Sequence, residues 1–366
     1  MAVLKVEFDN VLCFKKFKAD FTYPKKLVTT NLDDEYLKHY PKIRYKKLNI
    51  IIGSNASGKT SLGMIIWKTF VFIRDKESKL IRDLVADKKK DATILMDCVF
   101  ADGTFFRFES LMKASGETLV RYRKLKLTKD DTYDDILKRL PNDEFLPHTI
   151  ALENAEIGGW NFNFPSIEDG FGVISCKVSP HQVDEFLKVL NNVLKTFDPS
   201  IVEISKSNDV EDTYVIKFDD GRVEIVRDGY ALGELKQLSS GTKYAINIAT
   251  VMFNIKNHEN GFYYIDEQFS YVNSDIEIAC LTSMVDLLGD GEQLFITSHN
   301  EELMDLPYPL HSFSFLKKEK GNDGCYVELL NASSFEKRNN VSVKNLYDND
   351  YFDVAPDVNK VFEVIN

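Results

Sequence analysis

Gly53-Ser54-Asn55-Ala56-Ser57-Gly58-Lys59-Thr60 follows the apolar run Leu48–Ile52 and opens a segment, 59–73, that is apolar almost all round. The stretch matches the phosphate-binding pattern GxxxxGK(S/T) in the strand–loop–helix context that this pattern requires. Glycines let the backbone wrap so that its N–H groups face a phosphate, and the helix N-terminus adds a partial positive charge. The sequence therefore predicts a phosphate-binding loop between a buried strand and a helix.

Two side chains of this loop have predicted roles on a bound nucleotide. Lys59 would neutralise oxygens of the β- and γ-phosphates, and Thr60 would give its hydroxyl to Mg²⁺. ATP and Mg²⁺ are therefore the predicted cofactors. The residues of this segment predicted to contact the nucleotide are Gly53, Ser54, Asn55, Ala56, Ser57, Gly58, Lys59, Thr60 and Ser61.

A pair of carboxylates follows a second apolar run. Phe262-Tyr-Tyr-Ile265 ends in Asp266 and Glu267. Asp266, at the strand tip, can hold Mg²⁺ through water, and Glu267 projects one residue further, where it can polarise the attacking water. Such a run is common in isolation and gains its weight from the loop at Gly53. Together they predict ATP hydrolysis, with Asp266 as a metal ligand and Glu267 as the base.

The apolar patterns elsewhere predict an α/β fold. Alternation in the first twenty residues predicts strands, and Asp-Gly turns at 102–103 and 220–221 predict two hairpins. From Leu238 onward helical and strand patterns alternate, which indicates a parallel sheet with its ligand site at the strand ends. The segments concerned are Tyr244–Ile255, Phe262–Ile265, Ile276–Leu288 and Leu294–Thr297, with an amphipathic helix at 181–197 and a last hairpin within 312–330.

The composition is that of a soluble globular protein. The 366 residues are 44% apolar and 28% charged, and no apolar run has membrane-spanning length. Five cysteines lie far apart without a CxxC pair, so they predict no zinc site and suit a reducing compartment. We therefore expect a cytoplasmic protein without a membrane partner.

The net charge of −11 is unevenly distributed. Residues 1–130 carry 27 Lys and Arg against 16 Asp and Glu, whereas the rest of the chain carries 19 against 41. Basic and acidic surfaces of one fold can simply attract each other. The alternative is a basic face for a phosphate-rich partner, although the overall acidity argues against strong non-specific DNA binding.

Three further segments resemble motifs of the ABC-type ATPases. Leu238-Ser239-Ser240-Gly241-Thr242 resembles their LSGGQ signature, and His299 follows a buried strand where these proteins place a histidine that contacts the γ-phosphate. The segment 270–273 is similar to the loop that crosses their dimer interface, with Asn273 in place of the usual Asp. The resemblance thus adds Ser239, Gly241 and Asn273 to the nucleotide site, and makes His299 catalytic beside Lys59 and Glu267.

The resemblance extends to a branch of this superfamily. The opening segment 4–14 is similar to the first strands of RecF, the chromosome-maintenance ATPases and the OLD-like proteins. Residues 55–60 and 239–243 and the tail 338–356 are closer to AAA_21/AAA_15-type bacterial ATP-binding proteins, which are common in phage-defence and abortive-infection loci.

This resemblance implies an ABC-type P-loop ATPase head with a mixed or parallel sheet, an antiparallel β subdomain and an inserted α+β middle region. The expected domains are an N-terminal lobe at 1–115, the inserted region at 116–235, a C-terminal lobe with signature, Walker B strand and His299 at 236–316, and a hairpin and tail at 317–366.

The implied function is a Mg²⁺-dependent ATPase that senses or regulates in an anti-phage system. Two copies would pair head-to-tail around two nucleotides, with Ser239 and Gly241 of one copy facing the Gly53 loop of the other. The chain would then control a separate effector, a toxin or a nuclease.

Two alternatives stay open. One is a nucleotide-gated scaffold with little turnover, which Asn273 mildly favours and Glu267 and His299 oppose. The other is a RecF-like DNA-binding repair ATPase, supported by the basic residues Lys15, Lys16, Lys18, Arg44, Lys46, Lys47, Arg121, Arg123 and Lys124.

Overall fold

The computed structural model describes residues 1–23, 32, 34–165, 178–207, 209–210, 213–227, 230–232, 240–270, 272–321, 324–336, 338 and 341–354. The chain forms two compact units. The first comprises Met1–Gly158 and the chain from Asp290 onward, and the second comprises Gly159–Gly289. Within the described residues, no helix is both long and apolar enough to cross a membrane.

The N-terminal part of the first unit is rich in strands. These are β1 (Ala2–Asp9), β2 (Phe17–Asp20), β3 (Tyr36–Leu37), β4 (Tyr40–Arg44), β5 (Leu48–Ile52), β6 (Ala92–Val99), β7 (Thr104–Met112), β8 (Thr118–Lys126) and β9 (Leu146–Pro147). The helices are α1 (Lys59–Asp75), α2 (Lys79–Arg82), α3 (Tyr133–Arg139) and α4 (His148–Ala151).

Six of these strands form an antiparallel sheet in the order β2-β1-β6-β7-β8-β9. The hairpin expected around the Asp-Gly turn at 102–103 is confirmed, since β6 and β7 pair antiparallel with Thr93 opposite Leu111. Strand β8 continues the sheet beside β7 and was not identified from the sequence. Successive side chains of a strand point to opposite faces, so both faces of β7 can be covered. Phe105 contacts Tyr133 of α3, and Phe108 contacts Phe72 of α1.

The second unit contains β10 (Trp160–Asn163), α5 (Val183–Phe197), β11 (Ile201–Lys206), β12 (Thr213–Phe218), β13 (Val223–Arg227), β14 (Tyr230–Leu232), α6 (Ser240–Lys256), β15 (Phe262–Asp266) and α7 (Ser274–Leu287). The predicted helices and strands from residue 181 onward are confirmed, with ends that differ by a few residues. A 3-10 turn, Pro180–Gln182, precedes α5.

A parallel strand pair and a four-stranded antiparallel sheet organise this unit. Strands β10 and β15 pair in parallel, and β11 to β14 form an antiparallel sheet in sequence order. Helix α5 lies between that sheet and α6, because Phe186 contacts both Tyr214 of β12 and Phe253 of α6. The amphipathic stripe of α5 is thereby buried, as its sequence pattern requires.

The C-terminal part of the first unit contains β16 (Gln293–Ser298), β17 (Phe313–Gly321), β18 (Gly324–Asn331), α8 (Ala332–Phe335) and α9 (Val343–Asp348). Within this unit, β5 pairs in parallel with both β16 and β17, and β18 pairs antiparallel with β17. All five residues of β5 are buried, which accounts for its four apolar side chains. The buried Asn49 amide donates to the Lys46 carbonyl oxygen at 2.8 Å. The carboxyl ends of β5 and β16 meet at one edge, with Ile52 opposite Ser298.

Candidate functional site

The phosphate-binding loop follows β5 and leads directly into α1. Ala56 and Gly58 have left-handed backbone conformations, with φ values of +60° and +111°. Gly58 is the N-cap of α1, which begins at Lys59. Left-handed residues within a tight turn direct successive N–H groups toward one point, and this arrangement binds anions. The predicted strand–loop–helix order is therefore present, with a tight turn directly before α1.

Close packing explains the two glycines of the loop. A Cβ atom on Gly53 would lie 2.6 Å from Ser57 Oγ and 2.9 Å from the Leu316 carbonyl oxygen. A Cβ atom on Gly58 would lie 3.1 Å from Cys13 Sγ. Burial raises the pKa of the Cys13 thiol, although a hydrogen bond with Ser61 opposes this shift. An uncharged thiol therefore packs against the loop at neutral pH.

Lys59 folds back over the loop that precedes it. Its side chain is 3% exposed, and Nζ donates hydrogen bonds to the carbonyl oxygens of Gly53 at 2.7 Å and Ser54 at 3.3 Å. His299 Nε2 lies 3.2 Å from the same Nζ. The contact follows from the parallel pairing of β5 and β16, whose ends place Gly53 and His299 side by side. The structure thus brings together two predicted catalytic residues that are 240 positions apart.

The other residues of the loop differ in how far they are exposed to solvent. Ser57 and Gly58 are buried, Gly53, Ser54, Thr60 and Ser61 are half-buried, and Asn55 and Ala56 are exposed. A turn built from glycine and left-handed backbone, with a cation and a hydroxyl at the start of a helix, fits a nucleotide phosphate and its Mg²⁺. Lys59 and Thr60 are the side chains that would hold them.

The predicted carboxylates lie at the end of β15 in the second unit. Asp266 is fully buried, and Glu267 is half-buried with a φ of +48°. The backbone turns at once after Glu267, because Ser270 Oγ donates to the Glu267 carbonyl oxygen at 3.0 Å. The sequence order of a buried acid followed by a more accessible one is therefore present in three dimensions.

The signature segment is described in part. Ser239 lies outside the described residues, while Gly241 is half-buried in the first turn of α6, which begins at Ser240. Thr242 Oγ1 donates to Asp198 Oδ2 at 3.2 Å, which fixes the start of α6 to the end of α5. Gly241 therefore lies at a helix N-terminus, the position expected for an anion contact.

Asn273 is exposed and serves as the N-cap of α7. Its Oδ1 accepts a hydrogen bond from the Asp275 N–H at 2.8 Å. Asn and Asp are both good N-caps, so the Asn that replaces the expected Asp keeps the local structure of this loop.

The structure assigns several of the predicted DNA-contacting cations to internal roles. Lys46 and Lys47 are buried. Arg121 and Arg123 bind the Glu109 carboxylate, at 2.7 Å and 2.5 Å. Cross-strand pairing explains the Arg121 ion pair, since Glu109 and Arg121 are opposite each other on β7 and β8. These side chains stabilise the antiparallel sheet.

A different basic surface, not identified from the sequence, lies in the first unit. A cleft of about 420 Å³ opens between α2, the loop 85–90 and the β7–β8 turn. The Lys88-Lys89-Lys90 run was the signal that could have found it. The cationic residues that line the cleft are Lys79, Arg82, Lys88, Lys90 and Lys113, with Asp83 as the acidic one.

Two sets of hydrogen bonds fix the walls of this basic cleft. Arg82 donates to the carbonyl oxygens of Glu117 at 3.1 Å and Lys113 at 3.3 Å. Asn10 Nδ2 donates to the carbonyl oxygens of Asp87 at 2.9 Å and Lys90 at 3.2 Å, which holds the lysine loop in place. The cleft is therefore a preformed basic feature of the fold.

No protein-family model and no curated protein matches the sequence. Solved structures do resemble the fold. One, described as an SmcHead bound to the C-winged helix domain of ScpA, has a TM-score of 0.52 at 14% identity, covering 91% of this chain and 99% of that chain. This likeness shows that the chain has the fold of an Smc head domain.

Two other solved structures are similar at lower scores. The Smc head domain of Pyrococcus furiosus, with an extended coiled coil and bound to the C-terminal domain of ScpA, gives a TM-score of 0.49 at 12% identity over 91% of this chain and 97% of that one. The recombination mediator RecF gives 0.43 at 13% identity over 90% and 98%. The Smc head bound to the C-winged helix domain of ScpA, with its TM-score of 0.52, confirms the expected fold class.

Proposed function

We propose that the chain is a Mg²⁺-dependent ATPase. The observation that carries this proposal is the loop 53–60, where a buried Lys59 is held over the glycine turn beside His299. The carbonyl oxygens that accept from Lys59 Nζ hold the ammonium group against the loop, beside the N-terminus of α1. A phosphate placed there would receive charge-assisted hydrogen bonds from both.

The residues of the chain divide the chemistry between them. Bound Mg²⁺·ATP would supply a γ-phosphorus open to attack by water, with the metal offsetting the negative charge of the phosphate oxygens. Lys59 would neutralise phosphate oxygens, and Thr60 would hold the metal. Asp266 is the second proposed metal ligand, and the Glu267 carboxylate would accept the proton of the attacking water. His299, next to Lys59, would contact the γ-phosphate.

Replacement of Glu267 by Gln tests this assignment. We expect kcat to fall by about 10²- to 10⁴-fold, since general-base catalysis contributes that much, while ATP affinity changes by less than about twofold. Glu302→Gln, which alters an exposed carboxylate of the first unit, is the control. An undiminished rate in Glu267→Gln would show that another group activates the water.

The proposed assembly is a head-to-tail dimer around two nucleotides. Gly241 and Ser239 of one copy would complete the phosphate site of the other, as the sequence resemblance implies. The mass of the protein in solution, with and without Mg²⁺·ATP, tests this for wild type and Glu267→Gln. We expect a dimer that ATP induces and Glu267→Gln traps. A solution mass that does not change with ATP, together with negligible ATP turnover, would favour the nucleotide-gated scaffold instead.

The resemblance of residues 55–60 and 239–243 to ATP-binding proteins of phage-defence loci supports a narrower proposal. The ATPase would act as the sensor of an anti-phage system and control a separate toxin or nuclease. Phage plating on cells that carry the gene with its neighbours tests this. Protection that survives Glu267→Gln would separate defence from ATP hydrolysis.

The basic cleft favours a second candidate function, a DNA-binding ATPase of the RecF type. Five cations line a cleft that contains a single carboxylate, Asp83. Duplex binding should weaken steeply with salt, and Lys79→Glu with Lys88→Glu should reduce the salt slope by about one unit per lost contact. Lys188→Glu, at an exposed position of α5 in the second unit, is the control. Equal binding by all variants would exclude the cleft as the DNA site.

A further inference from the structure

The backbone at Glu267 is held in an unfavourable conformation. Its φ of +48° lies in the left-handed region, which residues with a Cβ atom rarely adopt. Such a conformation persists when surrounding groups fix it, and it is common at functional sites. What fixes Glu267 therefore bears on how its carboxylate is aimed.

Two side chains fix the peptide planes on either side of Glu267. Gln268 Nε2 donates to the Asp266 carbonyl oxygen at 3.0 Å, and Ser270 Oγ donates to the Glu267 carbonyl oxygen at 3.0 Å. With both flanking carbonyl groups bound, the direction in which the Glu267 side chain leaves the backbone is determined. Gln268 acts on the peptide that joins Asp266 to Glu267.

The Gln268 side chain is itself oriented by helix α6. Gln268 is fully buried, and its Oε1 accepts a hydrogen bond from Asn247 Nδ2 at 3.4 Å. Asn247 is 5% exposed and belongs to α6. Buried amides without partners are costly, so each of these two amides restricts the rotamer of the other.

Helix α6 begins with the signature segment. Gly241 lies in its first turn, and Asn247 follows six residues later, about 9 Å along the axis at 1.5 Å per residue. A helix moves as a rigid element over this distance, so a shift of its N-terminus also shifts Asn247. The contacts therefore run from Gly241 along α6 to Asn247, then to Gln268 and the peptide before Glu267.

We propose that Asn247 and Gln268 are a positioning pair that couples the signature helix to the Glu267 carboxylate. The inference rests on the proposed function, in which Glu267 is the general base. When the signature segment engages a phosphate, α6 sets Gln268 and thereby the aim of Glu267. Turnover depends on this pair, whereas nucleotide binding at the phosphate loop does not.

Single and paired variants test the proposal in the full-length protein. Gln268→Met removes both hydrogen bonds at similar volume, and Asn247→Ala removes the partner amide. We expect kcat to fall about ten- to a hundredfold in each, as misplaced catalytic groups do, with KM and ATP affinity within about twofold of wild type. The double variant should be no slower than Gln268→Met alone, because the two residues act as one unit.

An exchanged pair distinguishes positioning from general structural support. Asn247→Gln with Gln268→Asn keeps two facing amides and should recover part of the lost kcat. Thr250→Val is the matched control, since Thr250 is equally buried on α6 and bonds the Ile246 carbonyl of its own helix. We expect it to keep wild-type kcat. If Gln268→Met fails to fold, the kcat values of Asn247→Ala and of the exchanged pair still test the proposal.

The outcomes separate the two hypotheses. Wild-type kcat in Gln268→Met and Asn247→Ala, alongside an inactive Glu267→Gln, would overturn the positioning pair and leave the ATPase proposal intact. A loss of rate that disappears at saturating ATP would also overturn it, because weaker nucleotide binding would then explain the loss. Equal rates for wild type and Glu267→Gln, or no hydrolysis by wild type, would overturn the proposed function and the pair with it.

Discussion

The loop 53–60 of the first unit and the turn 266–270 of the second both contain left-handed residues, but they are supported differently. In the loop, Lys59 donates to carbonyl oxygens only five or six residues away. In the turn, Gln268 depends on Asn247, which is 21 residues away on another element. Lys59 thus bonds within its own segment, whereas the proposed positioning of Glu267 relies on helix α6. Changes in the loop should alter affinity and stability, and changes around the turn should alter turnover.

The largest expected effect is on ATP affinity in Lys59→Met. Two hydrogen bonds from an ammonium group to phosphate, each worth about 1.5–3 kcal/mol, correspond to a loss of about 10³-fold. Isothermal titration with Mg²⁺·ATP measures this. Gln268→Met, in the turn 266–270, should bind ATP as wild type does. A similar loss of ATP affinity in Lys59→Met and Gln268→Met would contradict the contrast between the loop and the turn.

Gly58→Ala should lower the free energy of unfolding by about 3 kcal/mol. The substitution adds left-handed strain and a Cβ atom 3.1 Å from Cys13 Sγ. Gly116→Ala is the control, since its φ is +102° and nothing lies within 4 Å of an added Cβ. It should cost about 1 kcal/mol, from strain alone. Equal losses in urea titrations of the two variants would show that crowding around the loop has no energetic role.

The buried Lys46, just before β5, gives the first unit a stability that depends on pH. Burial lowers the pKa of its ammonium group from 10.5 to about 8. Below pH 8 both states are protonated and the folded state bears the full cost of the buried charge. Between pH 8 and 10.5 the folded state binds fewer protons than the unfolded state, so stability rises with pH.

Lys46→Met should remove this rise. We expect the difference in unfolding free energy between wild type and Lys46→Met to change by about 3 kcal/mol from pH 7 to pH 10.5, in favour of wild type at high pH. A constant difference across the range would mean that Lys46 is not desolvated in the folded state.

The smallest expected effect is a gain in stability from Ala56→Gly. Ala56 has a φ of +60° and is exposed, so glycine relieves strain without loss of packing. The gain is partly offset by the entropy of glycine in the unfolded chain, which leaves about 0.5 kcal/mol. Thermal melting measures it, and ATP affinity should stay within about twofold. A loss of stability would show that the methyl group itself supports the loop.

Short patterns in the sequence were sufficient to predict many of the helices and strands. The glycine-lysine loop, the apolar strand β15 with its acids and the amphipathic helix α5 depend on neighbours within a few residues, so their patterns carry the information. Strand β8 was missed because its charged side chains, Arg121 among them, pair across the sheet with residues that a local pattern does not reveal.

By itself, the sequence determined the α/β fold, the strand–loop–helix order around residues 53–60 and the position of Asp266 and Glu267 at the end of an apolar strand. The tertiary structure decided which distant residues meet: His299 with Lys59, Asn247 with Gln268, and Arg123 with Glu109. The physical reason is that backbone conformation and apolar periodicity are local properties, whereas the orientation of a catalytic side chain depends on hydrogen bonds from elements that are distant along the chain.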